Sequence, residues 1–192
     1  MNLASILSFT HTLVKDSLFP GAIAIDATAG NGHDTLFLAQ SVGEEGQVIA
    51  FDIQSQALEN TYTRLKEAKV EERVSLHQRG HQHMTEVLSE LTIPQVQAIM
   101  FNLGYLPKGK LEVTTLPDTT LTAIDQSLEW LGPSGTLSLV LYTGHAGGKE
   151  EATAVLQKLS LLNTRLFDTA HYQLLNRNLA PSLALVRKKG LN

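Results

Sequence analysis

Residues Ile23 to Thr35 read Ile-Ala-Ile-Asp-Ala-Thr-Ala-Gly-Asn-Gly-His-Asp-Thr. A short apolar run ends in an acid, a turn with two glycines follows, and a helical pattern begins. That is the layout of a βα unit that holds a nucleotide-like ligand beyond the carboxyl end of a parallel strand. Gly30 and Gly32 let the backbone come close to a ligand and take positive φ. The next apolar run, Gln47 to Phe51, ends in Asp52, twenty residues beyond Gly32. An acid there can accept both hydroxyls of a ribose. The alternative is that Gly-Asn-Gly only joins a strand to a helix; two acids at this spacing favour the ligand site.

The turn lacks the third glycine of the dinucleotide fingerprint. Asp26 stands where a pyrophosphate would have to sit, and a carboxylate repels phosphate. A cationic ligand with an amino-acid end suits it better. The pattern D-x-x-x-G-x-G, followed by an acid ending the next strand, resembles motif I and the acidic position after it in S-adenosylmethionine (SAM) dependent methyltransferases.

The rest of the chain agrees with a globular α/β protein. Its 192 residues, 43% of them hydrophobic, fit one domain spanning 1–192. No apolar run reaches the roughly 18 residues of a membrane span. Met1 to Lys15 has no basic start or cleavage site, so a cytoplasmic location is expected. The absence of cysteine excludes disulfides, cysteine-ligated metal and a cysteine nucleophile. His33, His81 and His83 lie near strand ends without a metal-binding pattern, so no metal is expected. The net charge of −4 is not the footprint of an autonomous nucleic-acid binder. An RNA partner would need a local patch: Lys108 and Lys110, Lys149, or Arg187-Lys188-Lys189. Plain solvated charge is the other reading of each.

Apolar runs alternate with helical patterns, which predicts βα units and a mainly parallel sheet. An opening helix is expected over Asn2–Ser17. Strands follow at Ala22–Asp26, Gln47–Asp52, Val74–Gln78, Gln95–Phe101 and Thr136–Tyr142. The helix near Ser55–Ala68 presents Ala57, Leu58, Tyr62 and Leu65 at helical spacing. Leu103–Asp118 reads as a loop and Gly132–Gly135 as a turn. A helix is expected over Glu150–Leu161. The last two strands, near Thr164–Gln173 and Pro181–Arg187, have no helix between them and should pair antiparallel.

Two more constellations fall on the same sheet edge. Asn102-Leu103-Gly104-Tyr105 follows strand four, beside strand one, where Asn102 should face the reacting group. The tetrad resembles the Asn/Asp-Pro-Pro-Tyr motif of amino-group methyltransferases, with Leu103 and Gly104 in place of the prolines. In that motif the Asn carbonyl accepts from the target amine and the aromatic ring stacks on the base. A glycine turn with a Tyr at the core edge is the structural alternative. The second constellation, Tyr142-Thr143-Gly144-His145-Ala146-Gly147-Gly148-Lys149, leaves strand five just before a helix N-terminus, an anion-attracting place. His145 reads either as a substrate-orienting or proton-accepting group or as a hydrogen-bonding surface residue.

Taken together, the three motifs resemble a small bacterial family of class I SAM-dependent methyltransferases known as "putative rRNA methylases". Some of its members methylate the 5-aminomethyl group of 2-thiouridine at the tRNA wobble position. The resemblance covers essentially the whole chain. It implies a Rossmann-like, seven-stranded α/β sheet, mainly parallel with an antiparallel last strand and helices on both faces. It implies SAM as cofactor and RNA, most of all tRNA, as partner, with a homodimer compatible. Gly30, Asn31 and Gly32 would cradle the methionine part, with Asp26, Asp34 and Thr35 around its amino end. Asp52 would hold the ribose, and Gln54 and His81 would flank the adenine. Asn102 and Tyr105 would position the amine, with His145 the candidate base. Lys108, Lys110, Tyr142 and Lys149 would complete the substrate side. An rRNA or DNA exocyclic amine, a small-molecule substrate and a non-catalytic SAM-binding subunit are the alternatives.

Overall fold

The computed structural model describes residues 4–104, 115–177 and 179–190. Its elements in chain order are α1 (Ile6–Lys15), β1 (Ile23–Asp26), α2 (His33–Ser41), β2 (Gln47–Phe51), α3 (Ser55–Glu67), β3 (Val74–His77), α4 (Met84–Glu90), β4 (Val96–Leu103), α5 (Pro117–Trp130), β5 (Leu131–Leu141), α6 (Gly148–Ser160), β6 (Phe167–Tyr172) and β7 (Ser182–Lys188). The seven strands form one sheet in the order β3-β2-β1-β4-β5-β7-β6. β7 runs antiparallel to both β5 and β6; the other pairs are parallel. This is the expected seven-stranded architecture. The strand order reverses between β1 and β4, where an open α/β sheet leaves a crevice at its carboxyl edge.

The core follows from period-two alternation in strands buried on both faces. On one face Ile25, Ile49, Ile99, Phe101, Leu137 and Leu139 pack with residues of α4, α5 and α6. On the other, Ala24, Val48, Ala98 and Met100 pack with Leu38 and Ala39 of α2, Leu65 of α3 and Val14 of α1. Small side chains at Ala24 and Ala98 bring that second helical layer close to the central strands. α1 starts at Ser5, whose hydroxyl accepts from the Ser8 amide at 3.2 Å. Its Ile6 packs on Val140 and Leu183, so the helix covers β5 and β7.

Two expectations are corrected. β4 extends to Leu103, which places Asn102 inside the strand, opposite Val140 of β5. Residues Gly132–Gly135 do not end an element. β5 already pairs at Leu131, opposite Val96, and resumes at Thr136, opposite Ala98. The residues between bulge out of the ladder, with Ser134 at φ 59°. In α3 the buried positions are Ala57, Thr61 and Leu65, while Tyr62 is 49% exposed. The reason is space: a β-carbon on Gly32 would lie 2.8 Å from Thr61 Cα, and no aromatic ring fits so close a crossing.

Gly32 also has φ 76°, so substitution meets both a left-handed backbone and the wall of α3. Gly32→Ala should cost about 2 kcal/mol or more of folding stability. The check is a urea unfolding curve; a midpoint equal to that of the native chain would show that the turn relaxes freely.

Candidate active site

A cavity of about 710 Å³ opens at the carboxyl ends of β1, β2 and β4, within the range of small-molecule and cofactor pockets. The glycine turn forms one wall. It is braced from behind by α3: Thr61 Oγ1 donates to Gly30 O at 3.1 Å and Arg64 Nε to Asn31 O at 2.7 Å. Asn60 Nδ2 donates to Asn31 Oδ1 at 3.0 Å. Asp52 caps the opposite side. Its Oδ2 accepts from Gly30 N–H at 2.9 Å and its Oδ1 from Gln54 N–H at 2.9 Å. Burial raises the Asp52 proton affinity, and those amides pull it back down. Gly30, Asn31, Asp34, Asp52, Gln54 and Asn102 all line the cavity.

Asp26 and Thr35 lie behind the wall. Asp26 is fully buried; Oδ2 accepts from Thr35 Oγ1 at 2.6 Å and Oδ1 from Thr28 N–H at 3.1 Å. Burial, reinforced by the nearby Asp34 charge, pushes its carboxyl up to about 7. Asp34 faces the cavity from the first turn of α2. One of its oxygens accepts from His11 Nε2 at 2.6 Å and the other from Asn102 Nδ2. The Asn102 backbone N–H donates to Thr28 Oγ1 at 2.7 Å, and the buried Asn102 Oδ1 has no hydrogen-bond partner among the described residues.

His81 opens a short 3-10 turn after β3 and lines the cavity as expected. Its ring meets Phe101 edge-on at 5.4 Å, and burial lowers its pKa to about 4, leaving the ring neutral, with Nε2 unpaired among the described residues. Tyr142 is on the wall, its hydroxyl made less acidic by burial and by the Asp34 charge. His145 sits behind the wall between two glycines. Its Nε2 would lie 3.6 Å from a β-carbon on Gly104 and 2.8 Å from one on Gly148. Its Nδ1 donates to Ala146 O at 3.0 Å. Lys149 is exposed on the first turn of α6, away from the cavity. Tyr105, Lys108 and Lys110 lie outside the described residues. Among the described residues no group of His, Asp and Glu side chains forms a metal site, and no helix is long and apolar enough to cross a membrane.

Three participants carry no signal of their own in the sequence, although Thr28 lies within the Ile23–Thr35 stretch. His11 reaches the site from α1, Thr28 holds the Asn102 amide, and Arg64 props the glycine turn from α3. Each is brought there by helix packing or strand pairing, not by neighbours along the chain.

Residues 48–188 match the family described as "Putative rRNA methylase". The chain belongs to that family. It is also 40% identical over 187 residues to the chloroplastic tRNA (mnm(5)s(2)U34)-methyltransferase of Arabidopsis thaliana, covering 93% of this chain and 68% of that relative. Among solved structures, the "putative rRNA-methylase" of Clostridium thermocellum superposes with a TM-score of 0.93 at 36% identity, covering 98% of this chain and 100% of that one. A "putative methyltransferase" of Streptococcus mutans, solved in complex with SAH, has a TM-score of 0.87 at 36% identity, covering 97% and 99%. This rRNA methylase family member therefore carries its cavity where the fold predicts it, at the switch between β1 and β4.

The two buried titrating groups leave a signature in stability. From about pH 4 to 7 folded Asp26 holds a proton that the unfolded chain releases, so stability falls as pH rises through that window. His81 has the opposite sign: the unfolded chain takes a proton below 6.5 that the folded ring refuses down to about 4, so stability falls as pH drops. Asp26→Asn removes the first effect and leaves the second. Its unfolding free energy should climb with pH more steeply than the native chain's between pH 4 and 6.5, by up to about 1.4 kcal/mol per unit. Urea titrations across that range measure it, and an unchanged slope would mean that Asp26 is already ionised in the fold.

Proposed function

We propose that this methyltransferase is a SAM-dependent RNA N-methyltransferase acting on the 5-aminomethyl group of 5-aminomethyl-2-thiouridine at the tRNA wobble position. The observation that carries the reading is the Asn102 amide. Its N–H is taken by a buried carboxylate, and its oxygen, buried and without a partner among the described residues, belongs to a side chain that lines the cavity. That oxygen is an acceptor for the N–H of an amine, and Asp34 puts negative charge next to it. Similarity to the Arabidopsis tRNA (mnm(5)s(2)U34)-methyltransferase supports tRNA. The family description names rRNA, which makes an rRNA exocyclic amine the second reading. A cytoplasmic location belongs to this proposal; the plant relative is named as chloroplastic.

The residues present fit SAM. Asp52 offers carboxylate lone pairs at the β2 end, where a ribose would sit. Neutral His81, whose buried Nε2 has no partner among the described residues, lines the cavity together with Gln54, the pair assigned to the adenine. The Gly30-Asn31-Gly32 turn allows close backbone approach for the methionine part. Asp34, on the cavity wall, disfavours a phosphate and favours a cationic group with an amino end. When bound, SAM supplies a methyl group on a sulfonium, a good leaving group.

The chain's own part is binding, orientation and water exclusion. Asn102, with Tyr105 as its partner in the reading, holds the amine nitrogen so that its lone pair can face the methyl; positioning of this kind carries much of the rate. The aliphatic ammonium must shed a proton first. His145, the expected base, has Nδ1 committed to Ala146 O and stands outside the cavity wall. In this scheme the proton passes to solvent as the amine enters, and desolvation by the largely apolar cavity favours the neutral amine. Tyr142, Lys149, Lys108 and Lys110 are assigned to the RNA side.

Asp52→Ala should weaken SAM binding by about 2 kcal/mol through two lost hydrogen bonds; unchanged affinity by calorimetry would move the ribose elsewhere. The substrate is tested by nucleoside mass spectrometry of tRNA and rRNA incubated with the protein and deuteromethyl SAM. Label in 5-methylaminomethyl-2-thiouridine is the expected result, and label only in an rRNA base would overturn it.

A further inference from the structure

Asp34 has its two oxygens engaged on opposite sides. His11 of α1 donates its Nε2–H to Oδ1 at 2.6 Å, and Asn102 of β4 donates its amide N–H to Oδ2. The His11 ring is itself fixed, stacked on Phe37 with centroids 4.0 Å apart and planes 3° from parallel. Asp34 is 7% exposed and His11 is half-buried, so solvent does not loosen the arrangement.

This geometry has a chemical consequence for Asn102. A primary amide can sit in two orientations that differ by exchange of oxygen and nitrogen. An ionised carboxylate only accepts hydrogen bonds, so it admits one of them: nitrogen towards Asp34 and oxygen away from it. The oxygen left over is Oδ1, buried and without a partner among the described residues, on a side chain that lines the cavity. Reversed, the side chain would offer an amine two more donors, and the amine's lone pair would be drawn to Asn102 instead of the methyl group.

We propose that Asp34, held by His11 of the N-terminal helix, is a positioning residue that fixes the orientation of Asn102 and thereby makes its Oδ1 the acceptor for the reacting amine. This rests on the reading of the protein as an amine methyltransferase. It makes α1 part of the site, since the donor that occupies the second Asp34 oxygen comes from that helix.

The distinguishing variant is Asp34→Asn. His11 Nε2–H selects the oxygen of the new amide, which turns its nitrogen towards Asn102 and forces Asn102 to present nitrogen to the cavity. Turnover should fall about 100-fold, the scale of a misplaced reactant, with a smaller change in KM for tRNA. The exchange Asp34→Asn with Asn102→Asp restores an acceptor in the cavity and should recover at least tenfold over Asp34→Asn alone. A purely structural role for Asp34 predicts no such recovery. A second readout needs neither substrate nor cofactor. In 15N-labelled native protein, the Asn102 side-chain amide, assigned by its loss in Asn102→Ser, should show one proton shifted downfield and slow to exchange with water. Asp34→Ala should abolish that signature. Unaltered Asn102 amide signals in Asp34→Ala, or a double variant no better than the single one, would overturn the proposal. If the native enzyme methylates no amine at all while the amide signature is present and lost in Asp34→Ala, the amine reading fails and the orientation of Asn102 by Asp34 stands.

Discussion

The site depends on how the chain leaves β1. Asp26, buried at the end of that strand, accepts from the Thr28 amide and from the Thr35 hydroxyl. One side chain thus joins the last residue of a strand to the following turn and to the first turn of α2. The glycine turn between them is held in shape before any ligand arrives, and Thr61 and Arg64 of α3 prop it from outside. The cost is a carboxyl in a place that disfavours its charge, offset by two hydrogen bonds. Once this corner is set, Asp34 is aimed at the β4 end and the Gly30 amide meets Asp52.

Acidic groups at this edge sort into distinct roles by environment. Asp52 is partly exposed on the cavity wall with backbone amides on both oxygens. Asp34 is enclosed but paired with donors from two different elements. Asp26 is enclosed, accepts only from a hydroxyl and a backbone amide, and burial raises its proton affinity. Three carboxylates so close would repel one another if all were charged; uneven desolvation is what lets them coexist. The same edge carries neutral His81, so the cavity is polar at chosen points and apolar between them. That combination suits a ligand with a cationic centre and an aromatic end.

Much of this was legible in the chain. The apolar run ending in Asp26, the Gly30 and Gly32 turn, and Asp52 at the next strand end follow from local rules, because strand, turn and helix start are all set within a dozen residues. Asn102 was readable for the same reason, although β4 runs two residues further than the apolar pattern indicated, since pairing with β5 continues through Asn102 and Leu103. Residues Gly132–Gly135 misled: two glycines and a proline read as a turn, yet the strand continues past them as a bulge, because ladder partners on β4 exist on either side. Tyr62 keeps the helical spacing but stays exposed, because the tight crossing of α3 over Gly32 selects Thr61 for the buried position.

By itself the sequence determined the alternation of strands and helices, the glycine turn and the acids at strand ends, all of which arise from short-range preferences of backbone and side chain. Only the tertiary structure decided which distant groups complete the site. His11 lies 23 positions before Asp34, Asn102 lies 68 after it, and Thr28 meets the Asn102 amide across 74 residues. No periodicity in the chain encodes those meetings. They come from the order of strands in the sheet and from α1 packing beside them, which bring together donors and acceptors whose pairing is worth forming only once water has been excluded around them.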